Sequence, residues 1–329
     1  GTLTFTPANW NSAQTVTVTG VNDNLVDGTQ TSTLTVTVND GSSDNDFDGV
    51  ADQTVSVTTT DNDVAGFTIA QSGGSTSVAE TGTTDTFTIV LNAQPTSNVV
   101  LTITSSDTGE ATVTSSLTFT NANWNSAQTV TVTGVDDNII DGTITSNITI
   151  AVLDETSDNA FDSLSDQTVS VTTTDNDVAG FTIAQSGGST SVSESGTTDT
   201  FTIVLNAQPT SDVVLSISSS DTGEATVTSL LSFTNANWNS AQTVTVTGVD
   251  DDLVDGTKNS TITITVVDVI SDDSFDSVAD QTVSAATTDN DVAGFTITQS
   301  GGSTSVSESG STDTFTVVLN AQPASNVVL

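Results

Sequence analysis

Apolar and polar residues alternate with a period of two along short segments of this chain. The segments are FTIA from Phe67, TFTIVL from Thr86, TVTVTG from Thr129, NITIAV from Asn147 and TVSVTTT from Thr168. Successive side chains of a β-strand point to opposite faces, so this alternation predicts half-buried strands. The residues involved are mostly β-branched or aromatic, which also favours strands over helices.

Turn-forming residues separate about seven such segments within roughly 110 residues, which is typical of an immunoglobulin-like sandwich. Trp10, Trp124 and Trp238 lie 114 residues apart, and a period this long indicates tandem whole domains rather than a solenoid. The sequence therefore predicts an all-β chain of seven-stranded antiparallel Greek-key sandwiches in a linear rod. Each Trp is predicted to cover one end of its sandwich.

The period divides the chain into two complete and two partial modules. Residues 64–177 and 178–291 each form a complete module, preceded by the back part of a module (1–63) and followed by the front part of another (292–329). We expect the chain to be a segment of a longer polypeptide. The alternative is that the two partial modules complement each other between chains.

The charge balance narrows the classes of partner. The chain has 41 acidic residues and one basic residue, Lys258, with no Cys and no His. Nucleic acid and anionic membranes would repel such a chain, and no segment is apolar enough to insert into a membrane. We expect no enzyme, because Ser-His and Cys-His chemistry lack their residues and the carboxylates recur from copy to copy.

Alternating strand directions bring four acidic segments to one end of a module. In the first complete module eight carboxylates are predicted to meet there: Glu80, Asp107, Glu110, Asp136, Asp137, Asp141, Asp175 and Asp177. The next module repeats the set at Glu194, Asp221, Glu224, Asp250, Asp251, Asp255, Asp289 and Asp291. Crowded carboxylates without basic partners favour a hard divalent cation, and Ca²⁺ accepts six to eight oxygen ligands. The alternative is a set of solvated turns.

These motifs resemble the Calx-β repeat, and the phrases LTFTPANW, QTVTVTG and DNDVAGFT look like its tandem copies in large bacterial surface proteins. The resemblance implies a seven-stranded sandwich that binds Ca²⁺ at this end. The implied ligands are Glu80, Asp136, Asp137, Asp141, Asp175 and Asp177, then Glu194, Asp250, Asp251, Asp255, Asp289 and Asp291, and in the partial modules Asp23, Asp27, Asp61, Asp63 and Glu308. Asn22 departs from the pattern, since the other copies have Asp there.

A second acidic loop precedes the last strand of each module. In the first copy Asp44, Asp46, Asp48 and Asp52 match a D-x-D-x-D-G pattern typical of an EF-hand-like calcium loop. The later copies lose the middle acid and the Gly. This loop is expected to approach the acidic end of the preceding module. The alternative is a solvated loop held by Phe47, Phe161 or Phe275.

The aspartate pair at the end of each module is followed at once by the next strand, with no flexible linker. We therefore expect a calcium-stiffened rod at a bacterial cell surface or outside the cell, whose partners are adjacent modules and, in a fibre, other copies. Two alternatives remain open. One is a glycan- or surface-binding adhesin module that uses outward threonine rows, and the other is a self-assembling filament subunit.

Overall fold

The computed structural model describes residues Gly1–Leu329. It contains β-strands and short 3₁₀ turns, which confirms the predicted all-β class. The chain divides into two compact units, one formed by Gly1–Asp136 with Thr143–Thr174 and the other by Asp137–Gly142 with Asp175–Leu329. Each unit combines segments of more than one sequence repeat, and the module boundaries stay a prediction. No helix has the length and apolar character that crossing a membrane would require.

The first unit contains one complete sandwich and a two-stranded sheet. Its strands are β1 (Gln30–Val36), β2 (Gln53–Thr59), β3 (Phe67–Gln71), β4 (Thr76–Ala79), β5 (Thr84–Leu91), β6 (Val99–Ser105), β7 (Ala111–Val113), β8 (Ser116–Phe119), β9 (Gln128–Gly134), β10 (Ile144–Val152) and β11 (Gln167–Thr174). The sandwich consists of a four-stranded sheet, β3-β5-β9-β7, and a five-stranded sheet, β4-β11-β10-β6-β8, while β1 pairs with β2.

The second unit repeats this arrangement. Its strands are β12 (Phe181–Gln185), β13 (Thr190–Ser193), β14 (Thr198–Leu205), β15 (Val213–Ser219), β16 (Ala225–Val227), β17 (Leu230–Phe233), β18 (Gln242–Gly248), β19 (Leu253–Val254), β20 (Lys258–Val266), β21 (Gln281–Thr288), β22 (Phe295–Gln299), β23 (Phe315–Leu319) and β24 (Gln322–Pro323). The sheets are β12-β14-β18-β16, β13-β21-β20-β15-β17, β22-β23 and β19-β24. The 3₁₀ turns of the two units are Asp40–Ser42, Asn45–Phe47, Ser72–Gly74, Asp154–Thr156, Ser186–Gly188, Asp268–Ile270, Asp273–Phe275 and Ser300–Gly302.

Two of the seven predicted strands are split between the sheets. The first becomes β3 and β4, joined by a turn in which Gly73 has φ 65 and Gly74 has φ 86, and the fourth becomes β7 and β8. In each case the first segment lies in the four-stranded sheet and the second in the five-stranded sheet. Strand β4 runs parallel to β11, so the sandwich is antiparallel except at this edge.

The apolar positions of the alternating strands face each other between the two sheets and form the core. In the first unit the core includes Phe87, Phe119 and Phe161, each at most 1% exposed. Trp124 packs against this core, as Trp238 does in the second unit, which confirms the predicted role of the tryptophan. The outward positions carry threonine pairs such as Thr86 with Thr131.

The partial modules form fewer strands because their pairing partners are absent from the same segment. Strands β9 and β18 pair with β5 and β14, respectively. The identical sequence TVTVTG at residues 15–20 has no such strand within residues 1–63, and it forms none. In the same partial module Trp10 is 71% exposed, whereas Trp124 of the complete module is half-buried.

Candidate metal centre

The acidic end of the second sandwich collects carboxylates from both of its sheets. Glu194 follows β13, where its backbone N–H donates to Thr288 O at 3.1 Å. Glu224 directly precedes β16, and its carbonyl accepts from Val249 N at 2.9 Å and from Thr287 Oγ1 at 3.3 Å. These backbone contacts fix two glutamates at the place where the two sheets meet.

Two overlapping groups of carboxylates share Glu194. Side-chain oxygens of Glu194, Asp289 and Asp291 all lie within 4.8 Å of one another, and so do those of Glu194, Glu224 and Asp255. Glu194 is 1% exposed and Glu224 is 7% exposed. Four of these five residues belong to the ligand set implied by the resemblance. Glu224 does not, although its place in the eight converging carboxylates marks it in the sequence.

Several oxygens of this cluster have no hydrogen-bond donor. Glu224 Oε2, Asp255 Oδ1 and Asp291 Oδ2 are buried and without a partner. A buried carboxylate oxygen that accepts no hydrogen bond is costly, because it has lost its hydration and gained nothing in return. A hard cation supplies the missing interaction for several such oxygens at once.

Asp289 organises the cluster through its hydrogen bonds. Its Oδ2 accepts from Asp255 N at 2.9 Å and from Gly256 N at 2.7 Å, and its Oδ1 accepts from Asp291 N at 2.6 Å. These donors, led by Gly256 N–H, lower the pKa of Asp289. Gly256 has φ 76 and so takes the left-handed conformation that this turn requires. Asp289 thus positions the backbone on either side of the cluster. Asp291 instead has a buried carboxylate oxygen, Oδ2, that accepts no hydrogen bond.

The same hydrogen bonds recur in the other copies. Asp175 Oδ2 accepts from Asp141 N at 3.1 Å and from Gly142 N at 2.9 Å. Asp61 Oδ2 accepts from Asp27 N at 3.0 Å and from Gly28 N at 2.8 Å. The N–H groups two residues later, in Asp177 and Asp63, donate to the other oxygen at 2.6 and 2.7 Å, respectively. The repeated D-x-D motif therefore closes a turn in every copy.

Burial raises the pKa values of three other acids of the cluster. Loss of solvation is the main cause for Glu194, Glu224 and Asp291, and neighbouring carboxylates add to it. Among those neighbours, Asp255 has the largest effect on the pKa of Glu224, and Asp289 has the largest effect on that of Asp291. Raised and lowered pKa values thus lie side by side, which is typical of a ligand-binding site.

The remaining predicted ligands have other contacts. Asp251 Oδ1 accepts from Leu253 N at 2.7 Å, and its counterparts Asp137 and Asp23 close the same turn onto Ile139 N and Leu25 N. Asp250 accepts from Asn290 Nδ2 at 2.8 Å. Its counterpart Asp136 is exposed, as is Glu308, whereas Glu80 is 1% exposed. The assignment of ions to these residues stays a prediction.

The acidic loop between β9 and β10, like its counterparts in the other copies, also contacts the following repeat. We call it the junction loop (residues 21–29, 135–143 and 249–257). Leu25 forms a parallel β-bridge with Gln94, as Ile139 does with Gln208. Val26 N donates to Gln94 O at 2.9 Å, and Gln94 N donates to Asn24 O at 2.7 Å.

In the third junction loop this bridge extends into a short sheet. There Leu253 pairs with Gln322 and Val254 with Pro323. Apolar side chains strengthen the contact, because Val26 packs against the core of the first unit and Ile140 against that of the second. The loop that carries the acids is therefore also the loop that pairs with the next repeat.

The second acidic loop is a separate structure, which we call the distal loop (residues 39–52, 153–166 and 267–280). Asp158 Oδ2 accepts from Thr96 N at 2.6 Å and from Ser97 N at 2.8 Å. Burial alone would raise the pKa of Asp158, but the hydroxyl of Thr96, which donates to Oδ2 at 2.6 Å, together with the backbone donors outweighs it and lowers the pKa. Phe161 and Phe275 are fully buried, as the held-loop alternative requires, whereas Phe47 is 58% exposed.

The EF-hand-like residues of the first distal loop lie on the surface. Asp44, Asp46, Asp48 and Asp52 are exposed, and Asp44 Oδ1 accepts from Asp46 N at 3.1 Å. They lie outside the carboxylate groups described above, and ion binding there stays a prediction. In the first unit it is the second distal loop, through Ala160, that lies near the acidic end of the preceding module. There an open groove is lined by Asp27, Asp61 and Asp63 on one side and by Thr96 and Ala160 on the other.

No family model matches the chain, and no curated protein matches it. Among solved structures, CBD12 from CALX1.2 is 12% identical over 60% of this chain and 78% of that chain, with a TM-score of 0.24. Domains 4 and 5 of the S-layer protein SbsC are 17% identical over 68% of this chain and 99% of that chain, with a TM-score of 0.28. Domains 1–6 of SbsC are 16% identical over 82% of this chain and 38% of that chain, with a TM-score of 0.29. These TM-scores are low, and the proposal below rests on the carboxylate geometry alone.

Proposed function

We propose that this chain is a calcium-binding repeat protein in which Ca²⁺ at the acidic end of each module stiffens the junction with the next. The main observation in support is the cluster around Glu194, where carboxylate oxygens lie within 4.8 Å of one another and three oxygens are buried without a hydrogen-bond donor. The proposed role is structural, with no catalysis.

The donor set fits calcium. Glu194, Glu224, Asp255 and Asp291 offer carboxylate oxygens from four different segments, and Ca²⁺ accepts such sets in flexible geometry. Mg²⁺ is smaller and demands stricter octahedral geometry, and zinc would call for His or Cys, which the chain lacks. When bound, the ion neutralises part of the local negative charge.

The coupling to the junction follows from the contacts of one loop. Asp289 holds the backbone of Asp255 and Gly256, and the residues just before them, Leu253 and Val254, pair with the following repeat. An ion that orders Asp255 therefore also orders the paired segment. Without calcium, repulsion among the carboxylates opposes the ordering of Asp255 and of the paired segment.

We further propose that such junctions, repeated along the chain, form an extended rod at a bacterial cell surface or outside the cell. Adjacent modules would be its main partners. Extracellular calcium sites have Kd values of about 10⁻⁴ to 10⁻³ M, so a surface location would keep them occupied. A chain with 41 acidic residues and one basic residue also needs counterions at its carboxylate clusters.

The test is thermal unfolding and small-angle scattering of the full chain in millimolar calcium and in excess chelator, with magnesium as the control ion. We expect calcium to stabilise each site by roughly 1–3 kcal/mol and to increase the maximum dimension of the chain measured by scattering. The variant Glu224→Gln should lose part of the calcium effect on unfolding. Asp212→Asn is the matched control, because Asp212 is exposed and its carbonyl accepts from Asp272 N in the distal loop, away from the cluster. Unchanged stability and shape in chelator would contradict the proposal.

A further inference from the structure

The single basic residue of the chain lies on the candidate metal centre. Lys258 Nζ is 3.2 Å from Asp255 Oδ2. The Asp255 side chain is 8% exposed, and its other oxygen, Oδ1, is buried without a hydrogen-bond partner. The carboxylate that pairs with Lys258 is therefore also a member of the group formed with Glu194 and Glu224.

The other copies have a different residue at this position. Lys258 begins β20 and pairs with Thr287. At the same register Ile144 begins β10 and pairs with Thr173, and Gln30 begins β1. Gln30 donates its amide to Asp27 O at 2.7 Å. The three copies thus present a cation, an alkyl group and a neutral amide at this register. Their acidic loops also differ, because Asp252 stands where the other copies have Asn138 and Asn24.

We propose that Lys258 is a built-in counterion that weakens calcium binding at residues 249–257. This inference rests on the proposed calcium function. The ammonium group repels an incoming Ca²⁺ and occupies one oxygen of Asp255, so the ion gains less on binding. In the absence of calcium the same ammonium group reduces repulsion among the carboxylates.

The effect is modest in size because Lys258 is 45% exposed and water screens its charge. We expect the calcium midpoint for residues 249–257 to be roughly threefold to tenfold higher with Lys258 than with a neutral residue at that position. Replacing Lys258 with the residue of the other copy should remove that difference.

The experiment is hydrogen exchange of the full chain over a calcium series, read by mass spectrometry from peptides covering each junction loop. The two loops differ in sequence, so each midpoint is read separately. Lys258→Ile should lower the midpoint of residues 249–257 by about threefold to tenfold, and the reciprocal Ile144→Lys should raise that of residues 135–143 by a similar factor. Both variants place a residue that the chain already accepts at this register.

A second measurement uses no calcium. In chelator, Lys258→Ile should lower the unfolding temperature and Ile144→Lys should raise it, since each changes the local counterion. Lys258→Gln, which introduces the residue type of Gln30, should behave like Lys258→Ile if charge is the cause. Midpoints that neither variant moves would overturn the inference. If calcium protected neither loop, the proposed function itself would fail.

Discussion

At the residue scale, hydrogen-bond donors divide the acids of this chain into two kinds. Asp272 accepts from Ser211 N and Thr210 Oγ1 with one oxygen and from Ser274 N with the other, and its pKa is lowered. Glu224 is buried to a similar degree but has an oxygen without a donor, and its pKa is raised. Burial is therefore not what separates a structural acid from a candidate ligand. The separation lies in whether the protein supplies the donors.

This distinction predicts that Asp272→Asn destabilises the chain whether or not calcium is present. The substitution replaces a charged acceptor by a neutral amide and turns one oxygen into a donor that faces other donors. We expect a loss of about 1.5–3 kcal/mol in the free energy of unfolding, measured by denaturant titration in calcium and in chelator. The neighbouring exposed Asp273→Asn is the control. A loss seen only in calcium would instead indicate an ion at the distal loop.

At the element scale, the closest approach of two strands lies beside the candidate metal centre. Gly248 ends β18, and a Cβ placed on it would lie 2.1 Å from the carbonyl oxygen of Ser193, the last residue of β13. Gly134 meets Ala79 in the same way at 2.0 Å. Glycine is required here for space, since any side chain would push the adjacent strand away. Glu194 is the next residue after Ser193, so this contact also sets the position of a candidate ligand.

We therefore predict that Gly248→Ala has two effects. It should destabilise the fold by about 1–3 kcal/mol, because overpacking forces the backbone of β13 to shift. It should also weaken calcium protection of residues 249–257 in hydrogen exchange, because Glu194 moves with β13. Thr245→Ala, on the outward face of the same strand, is the control and should leave the calcium midpoint unchanged. A variant with normal calcium affinity would show that the position of Glu194 does not depend on this contact.

The sequence predicted elements better than it predicted their exact pairing. Alternation identifies β5 and β9 because their inward residues are apolar at every second position. It does not show that the first strand divides into β3 and β4, since alternation is the same in either sheet. The convergence of acids followed from strand direction. The different roles of Asp289 and Asp291 did not, because they depend on where the N–H groups of Asp255 and Gly256 lie.

At the scale of the whole molecule, charge is excluded from the sheets. Apart from Asp85 and Asp199, no strand from β1 to β24 contains an acidic residue, although the chain has 41 of them. Asp85 is partly covered and accepts from Ser77 N at 2.9 Å. The other acids thus lie in loops and turns, and the one lysine that opposes them begins β20. Stability should therefore respond strongly to any agent that neutralises the loops, whether protons or calcium.

The dependence of stability on pH follows from the opposite pKa shifts. Glu194 and Glu224 have folded pKa values above their ordinary 4.5, so the folded state binds more protons than the unfolded state just above that value. Stability without calcium should then rise as the pH falls from neutral toward 4.5. Asp158 and Asp272 have folded pKa values below their ordinary 3.8, and the stability they contribute is lost as the pH falls further.

We accordingly predict that the unfolding temperature in chelator has its maximum on the acidic side, between the two ordinary values or slightly above them. Calcium holds Glu194 and Glu224 in their charged form, so in millimolar calcium the maximum should move toward neutral pH. Scanning calorimetry over a pH series with and without calcium measures both curves, and Glu224→Gln should flatten the chelator curve near neutral pH. A chelator curve that falls steadily from pH 7 to pH 4 would mean that the buried glutamates do not govern stability.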